Sequence, residues 1–196
     1  MPVANGIKTI MRKKKICDEL MTQFNCPQTS EGKPIDRVLA LINKMDELLT
    51  KEQCYDIMQN QGCCKTAKYT APFREFGLLH ADKPFEERVR LFAEQSYNPK
   101  KHLKDKPPCW LNADGTFSVH WASGSDGSFK CVCAPLNKLP KPLNVSRTYC
   151  GCCAGHVRHN YQHALGAKLR LKEIMSSPLD TGGKEHCEFL FEVIIK

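Results

Sequence analysis

The chain lacks any run of about eighteen apolar residues, the length a bilayer-crossing helix needs, so a helical membrane span is not expected. No apolar stretch of signal-peptide type follows the basic run Arg12-Lys13-Lys14-Lys15, which argues against export. Glycine-rich phosphate loops, nucleophile elbows and the zincin helix motif are missing too. Their absence removes the commonest signatures of nucleotide binding, serine hydrolysis and metalloproteolysis. No helix-turn-helix punctuation, C₂H₂ spacing or aromatic ribonucleoprotein motif accompanies the net charge of +8. Outside the N-terminal run, basic residues often alternate with acids, as in Lys172-Glu173 and Glu86-Glu87-Arg88. Nucleic acid is therefore not an expected partner.

Cysteine is the opposite case, with 12 in 196 residues, and they are bunched. The tightest group reads Tyr149-Cys150-Gly151-Cys152-Cys153-Ala154-Gly155-His156; Cys131 and Cys133 lie upstream, and Cys187 lies near the C-terminus. In a secreted chain such a count would indicate a disulfide framework. With 41% hydrophobic and 26% charged residues the chain can build an ordinary core without such staples. A cytoplasmic location with reduced thiols is the expectation.

Periodicity divides the chain. Ile35, Val38, Leu39, Ile42, Met45 and Leu49 recur at helical spacing. Thr50-Lys51-Glu52-Gln53 has the form of a capping box that starts a second helix, ended by Gly62. An earlier helix is expected over Ile7 to Phe24. Asp82-Lys83-Pro84 opens a further helix carrying Phe85, Val89, Leu91 and Phe92, and Asn98 to Pro108 reads as an exposed Lys- and Pro-rich connector. From Cys109 the period becomes two. Thr116–Trp121 and Ser128–Cys133 flank Gly124-Ser125-Asp126-Gly127, predicting a β-hairpin. A helix over Ala154 to Ala167 and strands over Lys168–Ile174 and Cys187–Ile195 complete an α+β fold, with a helical N-terminal half followed by an antiparallel sheet packed on helices. The expected organisation is a helical region over 1–70 and an α+β ligand- or metal-binding region over 71–196, together one compact domain.

The final segment carries a more specific pattern. Cys150 precedes Ala154-Gly155-His156, then Ala164-Leu165-Gly166, Leu169-Arg170-Leu171-Lys172-Glu173, a Gly-containing turn and Cys187-Glu188-Phe189. This resembles the C-terminal signature of the 4-vinyl reductase domain and its bacterial relatives, among them proteins similar to L-2-amino-thiazoline-4-carboxylate hydrolases. The resemblance covers about a quarter of the chain. It implies a fold like that of the trafficking-complex (TRAPP) subunits, with a pocket for a small apolar or aromatic ligand and, in sensor members, a zinc nearby. Matched by position, Cys150, Glu173 and Cys187 take three of the family's ligand places. The remaining one holds Ser176, so a zinc set here would draw on Cys152, Cys153, Cys131 or Cys133.

The residues themselves allow the same chemistry. Cys131 and Cys133 stand two apart on an expected strand and face one way. Cys150, Cys152 and Cys153 enter a helix, whose dipole favours thiolate. With Glu173 and Cys187 from the last hairpin, four of these could close a tetrahedral zinc site, with an iron–sulfur cluster as the alternative. The competing reading makes several of them small buried hydrophobes. Cys153 and His156 are the candidate nucleophile and proton carrier for a hydrolase or thiol-dependent enzyme. His159 and His163 read as part of a polar helix face, and Cys63 and Cys64, beside Lys65 and Lys68, as thiols with cationic neighbours. His120-Trp121 could floor a ligand pocket. The leading expectation is a zinc-containing, small-molecule-binding or sensor-type domain, with a homodimer left open.

Overall fold

The computed structural model describes residues 34–61, 66–124, 128–133, 136 and 145–194. The expected helix over 7–24, the basic run at 12–15 and the pair Cys63-Cys64 lie outside them.

Helix α1 (Pro34–Leu48) buries Ile35, Val38, Leu41, Ile42 and Met45 on one face. Helix α2 (Lys51–Gln59) begins with the anticipated capping box: the Thr50 hydroxyl accepts from the Gln53 amide at 3.3 Å, and the Gln53 side chain accepts from the Thr50 amide at 2.9 Å. Helix α3 (Ala67–Leu79) runs through Pro72, and helix α4 (Phe85–Ser96) starts directly after Pro84. A 3₁₀ turn (Arg147–Cys150) leads into α5 (Gly151–Leu165), which ends at Gly166 with φ +67°. That left-handed stop suits glycine.

Among the described residues, β1 (Cys109–Leu111), β2 (Phe117–Trp121), β3 (Lys168–Ser176) and β4 (Cys187–Ile194) form one antiparallel sheet in the order β1-β2-β4-β3. The α+β class is thus present. The hairpin, however, differs from expectation. Strand β2 pairs with the short strand β1, Cys109 opposite Val119 and Leu111 opposite Phe117, while residues 128–133 join no strand ladder. Their segment instead bonds elsewhere, Phe129 N–H to the Gly183 carbonyl at 2.8 Å and Lys130 N–H to the Ser123 carbonyl at 2.7 Å.

Alternation assigns the two sheet faces. Phe117, Val119, Phe189, Phe191, Leu169 and Leu171 are buried against the helices. Helix α5 lies at the centre of that layer. Tyr161 meets Phe92 of α4 edge-on at 4.9 Å and Phe73 of α3 at 6.0 Å. Its approach to α2 is very close: a Cβ on Gly155 would stand 2.2 Å from the Gln59 carbonyl oxygen. Gln59 is itself buried and its side chain accepts the Leu171 amide of β3 at 2.9 Å, tying α2 to the sheet.

Candidate functional site

The cysteine turn holds the densest set of candidate ligands in the sequence. The structure brings Cys131, Cys133, Cys150, Cys153 and Cys187 into mutual electrostatic range from three separate segments. Tyr149 adds a hydroxyl 3.2 Å from the Cys133 sulfur, and Ser177 adds one 3.3 Å from the Cys150 sulfur. Cys131, Cys150, Cys152 and Cys187 are buried.

The zinc and iron–sulfur expectations are nevertheless overturned. Among the described residues, no group of three or more His, Cys, Asp or Glu is arranged to hold a metal ion. Glu173 is diverted, its carboxylate accepting from Lys51 at 2.5 Å and from the Tyr55 hydroxyl at 3.1 Å, both on α2. Ser176 donates to the His186 carbonyl at 2.6 Å. The helix-dipole argument for thiolate at Cys150 and Cys153 also reverses. Burial pushes Cys150 up to about 12, and it pushes Cys153 well above the ordinary thiol range, with the neighbouring sulfurs of Cys150, Cys187, Cys133 and Cys131 adding to it. Burial raises Cys187 in the same way. Burial thus favours the neutral thiol at Cys150 and Cys187, and at the half-buried Cys153 the neighbouring sulfurs act in the same direction. At these positions desolvation outweighs the dipole.

His156 stands one turn beyond Cys153 on α5, its Nε2 3.3 Å from the Asn160 amide. His159 and His163 meet edge-on at 4.9 Å on the same helix.

A different region has the form of a binding site. A groove of about 710 Å³ runs along the edge strand β1, between α4 and the connector leading into the sheet. Val89, Ala93 and Tyr97 line one wall, Trp110 and Leu111 the floor, and Lys106 the rim. The Lys106 ammonium sits 5.3 Å from the centre of the Trp110 ring and 3.1 Å from the Glu188 carboxylate. The neighbouring His186 ring, with Nε2 3.4 Å away, and the hydrogen bond from Lys106 hold that carboxyl down at about 2.

The connector, residues 97–108, is a strap across the sheet face opposite the helices. Sequence reading made it an exposed linker, but His102 and Pro108 are buried within it. The Leu103 amide donates to His120 Nε2 at 3.0 Å, and the Asn98 amide donates to His102 Nδ1 at 2.9 Å. His120 is fully buried. It packs edge-on against His102 at 5.5 Å and His186 at 5.2 Å. His120 and Trp121, proposed as a pocket floor, stand behind the groove rather than among the residues that line it; Pro107 and Pro108 come between. Burial pulls His120 down to about 4, with the nearby His186, His102 and Lys106 acting in the same direction. The groove itself left no mark in the sequence beyond the isolated Trp110, because its two walls are about twenty residues apart and meet only in the fold.

No family model matches the chain, and no curated protein matches it. Among solved structures, a crystal structure of an H-NOX protein from S. oneidensis in the Fe(II)NO ligation state aligns over 98% of this chain and 98% of that one, at 11% identity and a TM-score of 0.36. A mutant H-NOX protein from S. oneidensis in the Fe(II) ligation state aligns over 99% of this chain and 95% of that one, at 10% identity and a TM-score of 0.37. TM-scores this low do not establish a shared fold, and no ligand or residue role is carried over from either protein. Among the described residues no helix is long and apolar enough to cross a membrane.

Proposed function

We propose that this chain is a small-molecule-binding domain of sensor or carrier type, and that its ligand lies in the groove between α4 and β1. The observation that supports this is the groove's composition: an apolar floor and wall of Trp110, Leu111, Val89 and Ala93 beneath a rim with charges of both signs. Concave, mostly apolar sites with a few polar groups are the usual form of small-molecule pockets. An indole floor favours a flat apolar or aromatic body. The resemblance of the C-terminal segment to the 4-vinyl reductase domain points to the same ligand class.

The reading is tested with anilinonaphthalene sulfonate, a fluorescent aromatic probe, on the full chain with native near-ultraviolet dichroism. Energy transfer from tryptophan to bound probe is expected, reduced strongly by Trp110→Phe and little by Trp121→Phe. Ala93→Phe, which fills the groove from α4, should weaken binding by about tenfold or more. An absence of binding to the native chain, or binding indifferent to both Trp110→Phe and Ala93→Phe, refutes the proposal.

A further inference from the structure

We infer that the neutral imidazoles of His102 and His120 form an acid-sensitive latch on the 97–108 strap, so that lowering the pH frees the strap and releases the ligand. The ligand part of this statement rests on the groove reading above; the latch itself does not.

The geometry is specific. His120 Nε2, on β2, accepts the Leu103 N–H and so ties the strap to the sheet, while His102 Nδ1 accepts the Asn98 N–H and braces the strap's own turn. The Lys101 and Pro108 carbonyls anchor the strap on either side of that tie, at the Ala122 and His120 amides. A nitrogen that accepts a hydrogen bond carries no proton, so both rings are neutral, with His120 protonated on Nδ1 and His102 on Nε2. Adding a proton converts each acceptor into a donor aimed at another donor. Both strap bonds are then lost together with their acceptors. The strap residues so released, Lys104 to Pro108, are a wall of the groove.

The surroundings do little to accommodate the added charge. His120 faces His102 and Lys106 from the strap, His186 and Glu188 from β4, and Trp110 from β1. His102 faces Lys101, Tyr97 and Trp121. Glu188 is the one anion among these, and it is already engaged by Lys106 at 3.1 Å and His186 at 3.4 Å. The Pro107 carbonyl near His120 and the Asn98 carbonyl near His102 favour the charged rings, but burial prevails at both. Among the described residues no aligned partner receives the proton on His120 Nδ1. For a histidine whose folded value is depressed, the stabilising contribution is complete above the unfolded value of about 6.5. It is lost as pH falls from there toward the folded value of about 4. The latch therefore holds at neutral pH and yields across that acidic window.

The test measures amide exchange by NMR on the full chain between pH 7 and pH 4.5, corrected for intrinsic exchange. Leu103 should lose protection by more than about tenfold, and Asn98 should lose protection in the same direction. The Leu171 amide, held by Gln59 far from the strap, reports whether the whole fold remains intact. His120→Gln places an amide oxygen where Nε2 stood, and His102→Asn places one where Nδ1 stood, so each keeps an acceptor that does not titrate. The double variant should keep Leu103 and Asn98 protected at pH 4.5. If His120→Gln does not fold, the wild-type Leu103 amide decides the matter: its protection should fall between pH 7 and pH 4.5 while Leu171 stays protected, and protection that holds overturns the latch. An equal loss of protection in wild type and variant, or no loss in wild type while Leu171 stays protected, overturns the latch. Probe binding separates the two claims. Loss of strap protection in a chain that never binds anilinonaphthalene sulfonate sinks the groove reading and leaves the latch standing. Probe retained equally at both pH values in a chain that binds it sinks the release of ligand.

Discussion

Replacing Gly155 with alanine sets two effects of known size against each other. On a helix, glycine to alanine is favourable by roughly 1 kcal/mol, because alanine surrenders less backbone freedom. At this position, though, the new Cβ would stand 2.2 Å from the Gln59 carbonyl oxygen, 2.7 Å from its carbon and 2.8 Å from its Cα. All three are backbone atoms, so no side chain can rotate away. Helix α2 must move outward by about an ångström, an estimate from ordinary contact distances near 3.5 Å or a little less. Such a shift disturbs the bond between Gln59 and the Leu171 amide, 2.9 Å long, and Arg158's hold on Asn60, 2.9 Å long. Overpacking of a tight core costs about 1–3 kcal/mol, and a backbone obstacle belongs at the upper end. After the propensity gain the variant should be about 2 kcal/mol less stable. For a domain of this size that lowers the melting temperature by roughly 4–8 °C. Thermal unfolding followed by far-ultraviolet dichroism, with urea unfolding as a second measure, reads the difference. A Gly155→Ala chain that melts at the same temperature or higher would mean that propensity won, and that α2 does not approach α5 as described.

Three further outcomes follow from the same structure. Alkylation of the native chain by iodoacetamide at pH 7.5, mapped by mass spectrometry, should proceed roughly a thousandfold more slowly at Cys150 than in the denatured chain, from thiolate fraction alone with the thiol near 12. Rapid native labelling of Cys150 or Cys153 would contradict the buried thiol layer. Glu173→Gln should cost no more than about 1 kcal/mol, because the Lys51 pair it removes is largely exposed. Although burial works to raise Glu173, its bonds to Lys51 and Tyr55 prevail and lower it. Its contribution is therefore present above the ordinary carboxyl range and is lost as pH falls below that range through the lower folded value, so the difference between variant and wild type should shrink steadily on acidification below about pH 4.3. A difference that stays constant on acidification would assign Glu173 a role other than ion pairing.

What the sequence revealed and what it hid divide along a physical line. Local signals carried through: the Thr50–Gln53 box caps α2, and Gly166 ends α5 in the left-handed conformation. The alternation of Cys187, Phe189 and Phe191 marks the buried face of β4. Signals that depend on distant partners did not. Residues 128–133 alternate like a strand, but β2 already has β1 on one side and β4 on the other, leaving no edge for them. Strand β1 is three residues long, directly after two prolines, too short to register as a period. Helix α3 was obscured by Pro72, whose penalty of about 3 kcal/mol in a helix interior argues against a helix there. The aromatic cluster that offsets it, Phe73 and Phe76 against Phe92 and Tyr161, is assembled from three helices.

The same division explains why cysteine density in the sequence does not become a metal centre among the described residues. Cysteine density suggests ligation, but ligation requires thiolate, and thiolate requires water, a cation or a metal to face. The fold buries Cys131, Cys150 and Cys187 and sets the half-buried Cys153 beside them, where the neighbouring sulfurs push one another's thiols up. Sulfur there fills space. The imidazoles on the opposite face are also buried, but they are buried by a strap they themselves hold. That difference matters for function. A thiol packed in the core responds to little short of unfolding, whereas the strap that covers His120 is held in part by the lone pair His120 gives to Leu103. Covering group and covered group are interdependent, and the two strap bonds stand or fall with the proton count of two rings. Two histidines eighteen residues apart thus carry the site's capacity to respond, while the buried cysteines among the described residues do not.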